Sequence, residues 1–447
     1  MAAYPLEALF QELPELDPIQ SIEDMVVQPA SPPSTSANSN SSEFVFDTRW
    51  GQLDQFSLLS RAYFNVKFKF ALDNGNAHEN NKHQILMSGW HLFNNAEMYV
   101  NTQQMHNIQE PGFVAHALKM LKQTDSKILK HGPESWYYPQ IDVAGVAATP
   151  ADVKEAQLVK AGVRSQDCNQ SFYAKLYLRD IFGFCTQDIA LRNLKATFKL
   201  KTETSYTKLA IQTTDSTAAF VKISDISLVI PTIRPSLDML NVINKRLKGI
   251  DGESKALIKM RYETVQYWNS VQSQLADGAT STVRIPLANA LRRPKYLIAF
   301  PQNSTRNASV TMPNSKLLGD LPTLGSHFFK VDGHQIPEST SGLGAAYGYQ
   351  REYEAFLALT GKNMSDDASS FVDIDQWRQM YPFLVYSNEF QGGLRDISGA
   401  ARVDYEATVT NSSGGAVIWD WRFLIIADEI RELREDGDTV YASENRL

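Results

Sequence analysis

The chain has 447 residues, 43% hydrophobic and 11% aromatic, enough apolar material for two or three packed domains. Its 43 Lys and Arg stand against 50 Asp and Glu, a net charge of −7, which argues against a surface that grips nucleic acid as a whole while leaving room for a local basic patch. The two cysteines, Cys168 and Cys185, are too few to staple domains of this size and point to folding in a reducing compartment.

Met1 to Val27 carries Glu7, Glu12, Glu15, Asp17, Glu23 and Asp24 and no Lys or Arg. Pro5 and Pro14 break it, so it does not resemble a secretory signal. No apolar run approaches the ~20 residues that span a bilayer, and a soluble protein made inside the cell is expected. The Asn-x-Ser/Thr triplets at Asn169, Asn303, Asn307, Asn363 and Asn411 are then chance. Within the acidic arm Leu6, Leu9, Phe10 and Leu13 recur at helical spacing, the apolar face of a short helix that needs a partner. Pro29 to Ser42 is nearly all Pro, Ser, Thr, Ala and Asn, a flexible linker. Residues 1–43 therefore form an arm and linker, and the folded body is expected to start near Phe44.

From there the signal is mostly strand. Ala62, Phe64, Val66, Phe68 and Phe70 alternate with Tyr63, Asn65, Lys67 and Lys69. Comparable runs cover Tyr173 to Leu178, Leu194 to Lys201, Val221 to Ile230, Leu257 to Val265, Tyr296 to Phe300, Val403 to Val409 and Val417 to Ile426. The last two flank Asn411 to Gly415, a hairpin loop by its turn residues. Helical faces appear at Phe113, Ala117, Leu118 and Leu121, and at Tyr349, Tyr353, Phe356 and Leu357. Many strands with few helices predict an all-β protein of sandwiches or barrels.

Met98 to Met105, followed by the helix from Phe113, resembles Phe329 to Ile336, followed by the helix from Tyr349. Each is a strand ending in Val, a tight turn at Asn or Asp, then Gln and an aliphatic residue. This internal repeat predicts a duplicated module with its boundary at Pro231 to Pro235, where two prolines break a strand. The domains expected are residues 44–233 and 234–433, with a tail over 434–447.

Sites for chemistry are sparse. The eight histidines show no HExxH or helical His pair, and no phosphate-binding glycine loop or nucleophile elbow occurs. No catalytic residue, metal site or cofactor is expected. Asp366, Asp367, Asp373 and Asp375 could hold Ca²⁺ but fit a solvated loop better. Trp419, Trp421 and Phe423 could stack on sugar, but at period 2 they fit a buried sandwich face.

Taken in order, Tyr63 to Lys67, Asn94 to Asn101, Leu176 to Phe182, Ile223 to Leu228 leading to Arg234-Pro235-Ser236, Val331 to Pro337, and Tyr353 to Gly361 resemble the double-jelly-roll major capsid proteins of Polinton (Maverick) elements and adintovirus-like double-stranded DNA viruses. In that family Tyr63 to Lys67 would be the opening strand. The resemblance implies two upright jelly rolls per chain, homotrimeric capsomers with pseudo-sixfold outlines, and an icosahedral shell. It implies penton or other minor capsid proteins as partners, no sequence-specific nucleic-acid binding and no catalytic residues. The chain would be made in the host cytoplasm and reside in the virion. Leu6, Leu9, Phe10 and Leu13 would be the partner-binding residues of the arm. The rivals are a minor capsid protein, a carbohydrate-binding protein, and a tandem jelly-roll glycan-processing enzyme, which would need a carboxylate pair in the groove between its sandwiches.

Overall fold

The computed structural model describes residues 3–5, 19–31, 33, 43–49, 55–72, 83–85, 88–100, 103–122, 134–135, 171–191, 195–205, 210–212, 219–241, 258–291, 294–304, 319–337, 342–344, 348–360, 374–387, 401–433 and 439–441. In the first half these form β1 (Ala3–Pro5), β2 (Ile19–Val27), β3 (Glu43–Arg49), β4 (Phe56–Leu58), β5 (Tyr63–Leu72), β6 (His83–Ile85), β7 (Phe93–Val100), β8 (Gln103–Gln109) and helix α1 (Pro111–Lys122). They continue with β9 (Phe172–Tyr177), β10 (Ile189–Leu191), β11 (Lys195–Thr202), β12 (Ala210–Gln212) and β13 (Ala219–Pro235). The second half has β14 (Ile258–Val271), β15 (Thr280–Leu291), β16 (Pro294–Asn303), β17 (Thr323–Val331), β18 (His334–Ile336) and the helices α2 (Gln350–Thr360) and α3 (Ile374–Gln379). It closes with β19 (Leu384–Ser387), β20 (Ala401–Thr410), β21 (Trp419–Leu433) and β22 (Thr439–Tyr441).

Every strand pairing among the described residues is antiparallel, and the halves repeat one topology. In the first, the sheet β2-β13-β5-β9 faces the sheet β3-β11-β7-β8; in the second, β14-β21-β16-β19 faces β15-β20-β17-β18. The hairpins that carry the sequence repeat, β7-β8 and β17-β18, occupy the same edge of equivalent sheets, and each leads to its helix. At the second turn Asp332 and Gly333 both adopt positive φ, 48° and 85°, the two-residue turn whose twist suits a hairpin. The Asp332 carboxylate accepts from the Arg402 N–H at 2.7 Å, tying the turn to the neighbouring strand.

Alternation delivers the cores. On β5 Phe64, Val66 and Phe68 point inward and are fully buried, while Tyr63, Asn65 and Lys67 stay half-buried on the other face. Trp90 lies edge-on to Phe64 and Phe182, and the second core centres on Tyr405, Phe329, Trp421 and Phe423. Burying each large apolar side chain contributes about 1.5–3 kcal/mol.

One difference from the sequence reading concerns where the first sandwich starts. β2 lies inside the stretch read as an arm, yet it pairs with β13 from Leu228↔Val27 to Pro235↔Ile19 and holds the place that β14 holds in the second sandwich. It is the opening strand, so Tyr63 to Lys67 on β5 is not. Its alternation was hidden because Met25 and Val27 pack inward beside Glu23 while Ile22 and Val26 face outward, leaving apolar residues on both faces.

Candidate functional site: the seam between the sandwiches

The two sandwiches meet along a seam built by β8, α1 and the 3-10 turn Gly183–Thr186 on one side, and by β14, β16 and β21 on the other. Gly183 is pressed onto the β14 backbone: a Cβ added to it would lie 1.5 Å from the Glu263 carbonyl oxygen. Only glycine allows this approach. On either side of it Phe182 and Phe184 turn into the cores, and Phe184 meets the Tyr262 ring edge-on at 5.5 Å.

Two buried imidazoles sit in the seam. His106 accepts from the Phe184 N–H through Nε2 at 3.2 Å and packs against Phe182 and Tyr262. His116 packs against Phe113 and Tyr381. Burial pushes both pKa values down to about 3, with Arg431 adding to the effect at His106 and His91, Arg422 and Lys119 adding to it at His116. Both are therefore neutral near pH 7.

Polar contacts cross the same boundary. The Tyr267 hydroxyl donates to Glu110 at 2.7 Å, and the Arg422 guanidinium lies 4.7 Å from the Phe113 ring centre. Beside them opens a cleft lined by Lys119, Lys122, Arg179, Asp180, Arg261, Glu263, Lys295 and Asp428. Its carboxylates are already engaged: Asp180 with Lys119 at 2.9 Å, Asp428 with Arg261, and Glu263 with both Lys122 and Lys295. Burial alone would raise the Glu263 carboxyl, but the two lysines outweigh it and hold it below the usual carboxylate range. A glycan-cleaving site would want a carboxylic acid held above that range. Glu263 is tuned the other way, as a cross-link between sandwiches.

Other expected positions fall elsewhere. Leu6, Leu9, Phe10 and Leu13 lie outside the described residues, as do Asp366, Asp367 and Asp373, while Asp375 pairs with Arg378 at 3.5 Å. Among the described residues no group of His, Cys, Asp and Glu could hold a metal ion. Trp419, Trp421 and Phe423 are buried in the second core rather than offered to a sugar. Cys185 is a buried thiol whose pKa is pushed up by burial, so it is not a poised nucleophile. The seam residues escaped the sequence reading because they carry no motif. Only Gly183 between two aromatics was a visible signal.

No family model matches the chain, and no curated protein is significantly similar to it. Solved structures match by fold. A chain of the Sputnik virophage structure has a TM-score of 0.63 at 15% identity, over 96% of this chain and 89% of that one. A chain of the PBCV-1 virus capsid has a TM-score of 0.54 at 10% identity, over 95% and 97%. The Faustovirus major capsid protein has a TM-score of 0.54 at 10% identity, over 92% and 90%. The fold is that of the double jelly roll, and no helix among the described residues is long and apolar enough to cross a membrane.

Proposed function

We propose that this chain is the major capsid protein of a double-stranded DNA virus or virus-like element, and that it works by geometry. The observation that carries the reading is the close seam between two equivalent sandwiches. Joined rigidly, they present two similar outlines per chain, so three chains make a six-cornered tile. Repeated weak contacts then close a shell, because symmetry multiplies each of them. The tile is a homotrimer, its further partners are other capsomers and penton or minor capsid proteins, and its place is the virion. The sequence resemblance to Polinton and adintovirus proteins supports a source in that group.

Light scattering and electron microscopy of the expressed chain test this. The expected result is a particle about three times the 50.1 kDa chain mass with a hexagonal outline, or closed shells. A monomer at every micromolar concentration, alone and with shell partners, overturns it.

A further inference from the structure

At the end where β4 meets β13, the outer face of the first sandwich is apolar where it should be polar. On β13, Leu228 and Ile230 point into the core, so Val229 and Ile233 point away from it, yet they are only 7% and 3% exposed. Phe56 pairs with Ile233 and so shares that face, as does Leu58 two residues on. Both are buried as well. At the free edge of the sheet Ile22 and Val26 pair with Ile233 and Val229 on the same face and remain 65% and 57% exposed.

Topology says what lies across this face. The order β1-β10-β4-β13-β2 is antiparallel at every step, so β1 and β2 run parallel at opposite edges of this part of the sheet. Parallel strands are joined by a crossover that passes over one face. The inner face is filled by Phe64, Leu228 and Ile230, so the outer face is the one left open.

The connection is residues 6–18, with Leu6, Leu9, Phe10 and Leu13 at helical spacing. Four strand steps of ~4.8 Å and five residues of ~3.4 Å separate Pro5 beside Ile189 from Ile19 beside Pro235, a diagonal of about 25 Å. Thirteen residues reach about 20 Å at a helical rise and about 44 Å fully extended, and the span of about 25 Å lies between these limits. The reach fits.

We propose that residues 6–18 cover the outer face of their own first sandwich, with Leu6, Leu9, Phe10 and Leu13 packed on Phe56, Leu58, Val229 and Ile233. Anchorage at both ends favours the chain's own sheet over a neighbour's, because a short tether gives an effective concentration of about millimolar or more. This inference is independent of the capsid reading.

The test uses the full chain with Phe10→p-benzoylphenylalanine, expressed with and without ¹⁵N, mixed in equal parts in denaturant and refolded together so that any oligomer contains both isotopes. Photocross-links are expected within a single isotope, from position 10 to residues 56–58 or 228–235. Links between isotopes would place the segment on a second copy, and links elsewhere or none would leave the face to another occupant; each overturns the proposal. A second reading uses Leu9→Asp with Phe10→Asp. Amide exchange over 228–235 should rise at least tenfold while that over β17 and β20 stays constant, and unchanged exchange over 228–235 overturns it.

Discussion

Gly183 and Glu263, 80 positions apart, touch backbone to backbone across the boundary between the sandwiches. A methyl group at Gly183 has no free space, and the obstacle is a carbonyl in the middle of β14 rather than a flexible side chain. Gly183→Ala should therefore push the sandwiches apart or distort the 3-10 turn, costing about 3 kcal/mol, the upper end for overpacking. Urea unfolding measures this. A loss below about 0.5 kcal/mol would mean that the seam yields easily and is not a rigid joint.

Acid should loosen the same joint. His106 and His116 have folded pKa values of about 3 against 6.5 for the free side chain, so the unfolded chain binds more protons between these limits. Stability from the neutral imidazoles is complete above pH 6.5 and is lost as pH falls from there toward 3. At pH 5 the loss is about 2 kcal/mol for each, from a gap of about 1.5 units between pH and the unfolded pKa. Replacing His116 with Phe should reduce the difference in urea-unfolding free energy between pH 7.5 and pH 5 by about that amount. An identical pH dependence in wild type and variant would rule out His116 as a contributor.

How much of this was visible beforehand follows from the range of each signal. β5 and β11 were legible because one face is core and the other solvent, so Phe64 and Lys67, or Phe198 and Lys199, alternate cleanly. The hairpin at Asp332 was legible because its turn chemistry is local. β2 was not, since Glu23 shares its inward face and Ile22 and Val26 lie on its outward one. The seam was not either: Phe184 meets His106, Lys122 meets Glu263 and Tyr267 meets Glu110 at separations of 78, 141 and 157 residues. No local pattern encodes such pairs.

The buried pair Lys119–Asp180 supplies a third prediction. Both side chains are almost wholly enclosed, and the Lys119 ammonium also donates to Ser135 at 2.9 Å. Lys119→Met leaves the Asp180 carboxylate buried without its cation and should cost about 3–5 kcal/mol, whereas adding Asp180→Leu should restore most of it, since well-packed apolar pairs can replace buried ions. A double variant no more stable than the single one would show that the site cannot repack.

The last prediction concerns where the amino-terminal region stops being dispensable. Removing residues 1–18 takes away β1 and the segment before β2 but leaves the ladder between β2 and β13 whole. That variant should fold, with its outer face uncovered and dye binding to apolar surface increased. Removing residues 1–27 is different. It strips Met25 and Val27 from the core edge, opens the hydrogen-bonding edge of β13 from Leu228 to Pro235, and releases Thr232, whose hydroxyl donates to the Glu23 carbonyl at 3.0 Å. The second sandwich keeps β14 in the equivalent place, so the loss falls on the first alone. An open edge of that length is a template for pairing with other chains. The longer deletion should aggregate or lose the cooperative unfolding of the first sandwich, while amide exchange in β14 to β21 away from the seam stays protected. Circular dichroism and exchange on the two deletions decide it. If the 1–27 deletion folds as well as the 1–18 deletion, β2 is an accessory and the first sandwich does begin near Phe44.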